Sequence, residues 1–182
     1  MLDRHCFCDR VPRVATATRV VVVMHYGELP KVSNTGRLLG MALVDGHVVV
    51  HGRPGGPTRI AGLDDPARQA YVLFPDDEAP PLSREELARD GRPVTLVVPD
   101  GTWRQTRRIV RRVPDVVPLP RRRLPDGPPS RYRLRSAAPG RLSTCEAVAR
   151  ALGILEGPAV EARLAELLDT LVEGALRARS GR

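Results

Sequence analysis

The segment PDGTW, residues 99–103, combines residue types that could handle a proton and a charged ligand. It directly follows the apolar run VTLVV, so Asp100 stands at the end of a predicted buried strand. A carboxylate there could act as a general base, hold a ligand amine, or cap the next helix through the amides of Thr102 or Trp103. The local sequence favours the cap, and Gly101 would let the backbone bend or a ligand approach closely.

A second polar segment, SNTGR, lies between the first predicted strand and a short helix. Backbone N–H groups of Asn34, Thr35 and Gly36 could bind an anionic group at the start of that helix. The alternative is an ordinary cap formed by Ser33 or Asn34. Arg37 could pair with a carboxylate or a phosphate.

Three ionisable residues precede this segment. Glu28 and Lys31 are three positions apart in a loop, and their simplest interpretation is a weak, exposed ion pair. His25 ends the first predicted strand, where a histidine is more often a satisfied core residue than a catalyst.

The helix predicted for residues 102–113 has one strongly cationic face. The chain has a formal net charge of +8, and Lys31 is its only lysine, so arginine supplies nearly all of the positive charge. Arginine donors suit phosphate, and no carboxylate lies on this face, which favours a polyanionic partner, nucleic acid first, over a merely solvated surface. The cationic positions are Arg104, Arg107, Arg108 and Arg111, and the surface continues through Arg121, Arg122, Arg123, Arg131, Arg133 and Arg135.

The cysteines and the absence of apolar segments limit the class of protein. Cys6 and Cys8 with His5 could form part of a metal site, but a C-x-C pair supplies too few ligands for tetrahedral zinc. Cys145 falls in a predicted helix and reads as a small core residue. The sequence has no apolar run of 18 residues and no signal-peptide core, so we expect a cytoplasmic protein that does not span a membrane.

Strands and helices alternate along the chain, which predicts a single α/β domain with a mostly parallel sheet flanked by helices. The predicted strands cover residues 19–25, 47–52, 70–75, 93–100 and 115–119. The predicted helices begin near residues 34, 83, 102, 143 and 158. Ligands of such sheets bind at the carboxyl ends of the strands, where both SNTGR and PDGTW lie.

The C-terminal helix has apolar positions at helical spacing, so it could pack on its own domain or on another copy. These positions are Val160, Leu164, Leu167, Leu168, Leu171, Val172 and Leu176. The helix before it starts with a capping-box pattern, Ser143 with Glu146, and Gly153 is a candidate stop.

Taken together, these motifs resemble the DTW-domain family of tRNA-uridine aminocarboxypropyltransferases. The D-x-T-W signature is present as Asp100, Thr102 and Trp103. A second pattern, H-x-x-E-x-x-K-x-x-N-T-G-R-L, runs from His25 to Leu38, and HCFCDRVP, YRLR and LSTCEAVARAL follow the family's order. The resemblance covers most of the chain, as one domain with an N-terminal remnant of a Cys-rich segment at residues 1–18 and a catalytic core at 19–182.

The resemblance implies a SPOUT-related fold whose knotted C-terminal part grips S-adenosylmethionine. It implies transfer of the 3-amino-3-carboxypropyl group of that co-substrate to N3 of a tRNA uridine, with 5′-methylthioadenosine as the second product. On this basis Asp100, Thr102 and Trp103 are the catalytic candidates, with Asp100 as the base. The cofactor-binding candidates are Asn34, Thr35, Gly36, Arg37, Gly101, Ser143, Thr144 and Glu146. The RNA-binding candidates are His25, Lys31, Arg104, Arg107, Arg108, Arg111, Arg121, Arg122 and Arg123.

One departure from the family concerns zinc. Family members usually carry a further C-x-x-C ahead of the C-x-C, whereas only Cys6 and Cys8 occur here. Either this member has lost the metal or the chain is shortened at its start, so no bound metal is predicted.

The alternatives in function are a SPOUT-like RNA methyltransferase, an aminocarboxypropyltransferase of ribosomal RNA, and a non-catalytic RNA-binding module.

Overall fold

The computed structural model describes residues 8–55, 58–134 and 141–179. Its centre is a five-stranded, entirely parallel sheet with the strand order β2-β1-β4-β3-β5. The strands are β1 (Arg19–His25), β2 (Gly46–His51), β3 (Gln69–Leu73), β4 (Val94–Asp100) and β5 (Arg121–Arg122). The predicted α/β class with a parallel sheet is confirmed.

The two central strands are buried on both faces, which explains their unbroken apolar sequences. In β1, Val20, Val22 and Met24 face one apolar core, while Val21 and Val23 face a second core on the opposite side. The first core is completed by α1 (Gly36–Ala42), α4 (Thr144–Leu155) and α5 (Pro158–Arg179), and α3 (Trp103–Arg112) covers the second. We call these sides the α4–α5 face and the α3 face. The short helix α2 (Arg84–Ala88) packs Leu87 on the α4–α5 face.

Helix α5 packs on its own domain. Leu164, Leu167, Leu168 and Leu171 are buried in the same core as residues of α4, so the apolar stripe is covered within the chain. Leu176, at the end of the stripe, is exposed.

The fifth strand differs from its prediction. Residues 115–119 form turns, because the N–H groups of Val116 and Val117 donate to the carbonyl of Val113. The ladder with β3 begins only after Pro120, at Arg121. Gly153 is also not a stop, since α4 continues to Leu155.

Residues ahead of β1 belong to the same core. The Val14 N–H donates to the Ala42 carbonyl, the Val44 N–H donates to the Val14 carbonyl, and the Val14 side chain is buried. The boundary predicted at residue 18 therefore does not divide the packing of the described chain.

The prediction of a knot depends on the path of residues 135–140, which lie outside the described residues. It stays a prediction, as does the SPOUT relationship. Within the described ranges, no helix combines the length and the apolar character that crossing a membrane requires.

The packing of α5 predicts a sharp contrast between two of its leucines. Leu164 is 0% exposed and Leu176 is 37% exposed. We expect Leu164→Ala to lower the free energy of unfolding by about 3 kcal/mol through a cavity, and Leu176→Ala by less than about 1 kcal/mol. Urea unfolding followed by circular dichroism measures both. Equal losses would contradict the packing described here.

Candidate active site

The carboxylate of Asp100 joins three segments that are far apart in the sequence. Its Oδ2 accepts a hydrogen bond from Asn34 Nδ2 at 2.6 Å, and its Oδ1 accepts one from the Thr144 hydroxyl. Gly36 lies directly against it, because a methyl group added there would stand 2.8 Å from Oδ2. Asp100 is only 4% exposed, so these contacts form the buried floor of the strand edge.

The fold brings these segments together at the carboxyl end of the sheet. Asp100 is the last residue of β4 and lies beside Met24 of the parallel strand β1. The Thr35 hydroxyl accepts the N–H of Cys145, which ties the start of α4 to the start of α1. The amino-terminal end of α4 therefore points at the carboxylate, where the helix dipole favours negative charge.

Asp100 lies beside SNTGR, as predicted, through its contacts with Asn34 and Gly36, and their shared role in a site stays a prediction. The predicted cap is formed differently. The Thr102 amide, one of the predicted capping targets of Asp100, donates instead to Gln105 Oε1 at 2.7 Å. Asn34 does serve α1, since its Oδ1 accepts the Arg37 N–H at 3.2 Å. The base role of Asp100 stays a prediction.

Ser143 and Glu146 form the predicted capping box of α4. The Glu146 carboxylate also accepts from the Ser130 hydroxyl and the Arg131 N–H, each at 2.7 Å. Burial alone would raise the pKa of Glu146, but the hydrogen bonds from Ser143, Ser130 and Arg131 lower it on balance. The Glu146 carboxylate thus holds the loop before α4. Its contact with a cofactor stays a prediction.

The loop between β1 and α1 is held by its own charges. Glu28 is 0% exposed and accepts from Lys31 Nζ at 2.5 Å, so the prediction of a weak, exposed pair is wrong. Arg37 Nη2 donates to the carbonyls of Leu29 and Lys31. These bonds fix the loop, and the predicted contacts of Arg37 and Lys31 with ligands stay predictions.

Trp103 packs at the start of α3, and two arginine side chains lie over its ring. Its ring stacks on Phe74, with centroids 5.3 Å apart and planes inclined by 8°. The guanidinium groups of Arg107 and Arg141 lie 5.4 and 5.0 Å from its centroid. An open cavity of about 210 Å³ between β3 and α3 is lined by Phe74, Trp103, Arg107 and Arg111 among others.

The arginines predicted to bind RNA fall into two groups. Arg104, Arg107, Arg108 and Arg111 are all exposed on α3. By contrast, Arg122 is 9% exposed, pairs with Glu86 at 2.7 Å and lies over the Tyr71 ring, so its assignment to RNA is wrong.

The neighbours of Arg122 are also bonded within the protein. Arg121 pairs with Asp76, and Arg123 donates to the Ala79 carbonyl. RNA contact by these two arginines stays a prediction.

His25 lies at the same strand edge as Asp100 but on the α3 face. Its Nδ1 lies 3.1 Å from the Gly27 nitrogen and 2.9 Å from Gln105 Nε2. The ring contacts Tyr26, with centroids 4.8 Å apart, and lies 6.5 Å from the His51 ring. His25 and Asp100 are thus neighbours at the strand edge whose side chains point to opposite faces of the sheet.

Gln105 is a site residue that the motifs did not reveal. The signal was present, since Thr102 to Gln105 reads T-x-x-Q, the capping-box pattern. The link between Thr144 and Asp100 had no such local signal, because 44 positions separate the two residues.

The cysteines give no structural support for a metal. Cys6 lies outside the described residues, and Cys8 begins a short 3-10 turn, Cys8–Arg10. Cys145 is a buried free thiol, and burial together with Glu146 raises its pKa to about 12. The described part of the chain contains no cluster of three or more potential metal ligands, and a zinc site at the N-terminus stays untested.

The close approach of Gly36 to Asp100 predicts that a single methyl group disturbs the site. We expect Gly36→Ala to lower the free energy of unfolding by about 1–3 kcal/mol, because the added carbon displaces the carboxylate. Gly174→Ala in α5 meets no atom within 4 Å and is the matched control. It should be neutral or stabilising by up to about 1 kcal/mol. Chemical unfolding of both variants measures the difference, and a neutral Gly36→Ala would contradict the close contact.

Comparison with known proteins shows the family of this chain. The model of the DTW domain matches residues 1–176. The tRNA-uridine aminocarboxypropyltransferase 2 of Drosophila melanogaster is 32% identical over 178 residues, covering 91% of this chain and 68% of that protein. The fold resembles that of the SAM-dependent rRNA:acp-transferase Tsr3 from Vulcanisaeta distributa, with a TM-score of 0.53, 20% identity, and coverage of 93% of this chain and 80% of that one. The chain belongs to the DTW domain family.

Proposed function

We propose that this protein transfers the 3-amino-3-carboxypropyl group of S-adenosylmethionine to N3 of a uridine in tRNA. The observation that carries the proposal is the convergence of Asn34, Gly36 and Thr144 on Asp100 at the carboxyl ends of the central strands. Ligands of open parallel sheets bind at this edge. The named activity of the Drosophila relative and the fold shared with an aminocarboxypropyltransferase support the same reaction.

The reaction is an alkyl transfer. A bond forms between uridine N3 and the γ-carbon of the methionine portion, and the bond from that carbon to sulfur breaks. The sulfur keeps the electron pair and leaves as 5′-methylthioadenosine, while the N3 proton passes to an acceptor. Because the sulfonium activates three carbons, the enzyme must align the γ-carbon rather than the methyl group with the nucleophile.

In this proposal Asp100 contributes position and charge. Its carboxylate holds the loop before α1 and the start of α4 in one arrangement, and a fixed anion at this edge of the sheet favours the cationic sulfonium and amino groups. This anion complements the positive charges of S-adenosylmethionine.

The exposed arginines of α3 would hold the tRNA backbone. Arg104, Arg107, Arg108 and Arg111 offer bidentate donors for phosphates. The cytoplasmic location expected for such an enzyme stays a prediction.

The product of the reaction tests the proposal directly. The purified protein is incubated with S-adenosylmethionine labelled in the carboxypropyl chain and with unmodified tRNA, and nucleosides and small products are identified by mass spectrometry. Label on uridine together with methylthioadenosine supports the proposal. S-adenosylhomocysteine would indicate a methyltransferase, labelling of ribosomal RNA alone would move the substrate, and the absence of any product would leave an RNA-binding module.

The contact between Thr144 and Asp100 predicts that removing the Thr144 hydroxyl, which carries no charge, lowers the rate of transfer. We expect Thr144→Val to lower kcat/KM about tenfold, because a net hydrogen bond to a charged group is removed, whereas Thr144→Ser should stay within about threefold. Asp100→Asn should reduce both transfer and the free energy of unfolding, because the negative charge is lost and only one of the two acceptor oxygens remains. Asp100→Asn with unchanged stability but lost transfer would favour the base role instead, and normal transfer would exclude both roles.

The arginines of α3 predict a salt-dependent effect on RNA binding. Replacing Arg104, Arg107 and Arg108 by alanine should weaken tRNA binding and lower the slope of log K against log salt by about 2–3. The matched control replaces the exposed Arg84, Arg89 and Arg163, which lie on elements of the α4–α5 face. Filter binding at several salt concentrations measures both slopes, and equal slopes would exclude α3 as the RNA surface.

A further inference from the structure

We propose that His25 acts as a neutral hydrogen-bond donor, through Nε2–H, to a carbonyl oxygen of the target uracil, and that Gln105 is the positioning residue that fixes this state. The inference rests on the proposed function, whose nucleophile is the uracil ring. It concerns the α3 face of the strand edge, opposite to the Asp100 network.

The orientation of the Gln105 amide follows from a backbone group. The Thr102 N–H can only donate, so the Gln105 atom 2.7 Å from it is the acceptor Oε1. The other end of the amide is therefore the NH₂ group, and it lies 2.9 Å from His25 Nδ1. An NH₂ group only donates, which makes Nδ1 the acceptor.

A second donor reaches the same nitrogen. The Gly27 N–H lies 3.1 Å from His25 Nδ1 and likewise has no acceptor to offer. A proton on Nδ1 would face two N–H groups, so the neutral ring must carry its proton on Nε2. The geometry also opposes the doubly protonated ring.

The surroundings of His25 lower its pKa on balance, which also favours the neutral ring. Burial lowers the pKa of His25; Glu28 raises it, and Lys31 and Arg108 lower it, with a net shift below the ordinary value. The neighbouring His51 also has a lowered pKa, from burial, from His25 and from Arg108. His25 is thus neutral at physiological pH, by the donors at Nδ1 and by its environment.

The Nε2 atom faces Gly52, the residue after β2, because a methyl group added there would lie 3.5 Å from it; a residue without a side chain leaves this donor open to a ligand. Among the described residues, Nε2 of His25 has no hydrogen-bond partner, whereas His51 Nδ1 is engaged with Thr58. A methyl group added at Gly101 would lie 3.3 Å from His25 Cβ, so the ring borders the loop that links Asp100 to Trp103. The exposed Tyr26 ring lies beside it.

The chemistry of the uracil fits a neutral donor. When N3 loses its proton, negative charge spreads to O2 and O4, and a preorganised N–H donor stabilises that charge as it develops. A neutral imidazole polarises a carbonyl without giving up its proton to the ring. A phosphate contact would instead favour the imidazolium, which the two donors at Nδ1 oppose.

Two substitutions separate this role from a purely structural one. His25→Asn keeps an acceptor oxygen near the position of Nδ1 and removes the Nε2 donor. Gln105→Glu still accepts the Thr102 N–H, so the helix start is retained, but its carboxylate draws a proton onto Nδ1. Arg163→Gln, an exposed substitution on α5 that lowers the net charge by one as Gln105→Glu does, is the matched control.

The first measurement is nitrogen-15 NMR of the histidine ring at several pH values. We expect the free wild-type protein to show His25 in the Nε2–H form and to titrate below the ordinary histidine pKa. Gln105→Glu should raise that pKa and shift the proton toward Nδ1, and Arg163→Gln should change neither. A wild-type ring protonated on Nδ1 would overturn the inference, whatever the transfer assay shows.

The second measurement is transfer to tRNA, together with the salt dependence of tRNA binding. His25→Asn and Gln105→Glu should each lower kcat/KM about tenfold, and His25→Asn should leave the salt slope unchanged. Arg163→Gln should stay within about twofold. A reduced slope for His25→Asn would identify a phosphate contact and overturn the uracil contact, and so would unchanged transfer. If the wild type forms no product while the NMR result holds, the proposed function fails and the fixed neutral state of His25 stands.

Discussion

The buried carboxylate of Asp100 is the constraint on which the arrangement of this site depends. Removing a carboxylate from water is costly unless hydrogen bonds replace the lost solvent. Here the donors are side chains from two separate segments, Asn34 before α1 and Thr144 at the start of α4. If these two segments moved apart, the buried carboxylate would lose hydrogen-bond donors. The cost of burial therefore couples the loop positions to the end of β4.

The central sheet divides the chemistry of its carboxyl edge between two faces. Successive residues of a strand point to opposite sides, so Asp100 on β4 and His25 on β1 are close along the edge but face different helices. The Asp100 side is a closed network of hydrogen bonds with α1 and α4, and the His25 side lies beside the exposed arginines of α3. In the proposed reaction, the uracil and the co-substrate must meet at the PDGTW loop, where the two faces adjoin at the strand edge.

The fold was predictable from sequence wherever the signal was local. The apolar runs of β1 and β4 and the Ser143–Glu146 cap needed only neighbouring residues, and all three are confirmed. The fifth strand was not predictable in this way. DVVPL is as apolar as a strand, but its amides bond back within turns, and the paired residues are the arginines that follow. Its position is set by the partner strand β3, and no local pattern records that pairing.

The site was likewise predictable only in part, and the charged residues are the clearest example. Motifs placed Asp100 near SNTGR correctly, but they could not show which side chains use their charge inside the protein. Arg122 neighbours a cationic run in the sequence, yet Glu86 and the Tyr71 ring hold it in the interior. Arg19 likewise binds Asp45, and Arg68 donates to backbone carbonyls beside the sheet. Net charge therefore overstates the surface available to a polyanion. What distinguishes α3 is the exposure of its arginines on one helix face, beside a tryptophan and at the edge where the strands end.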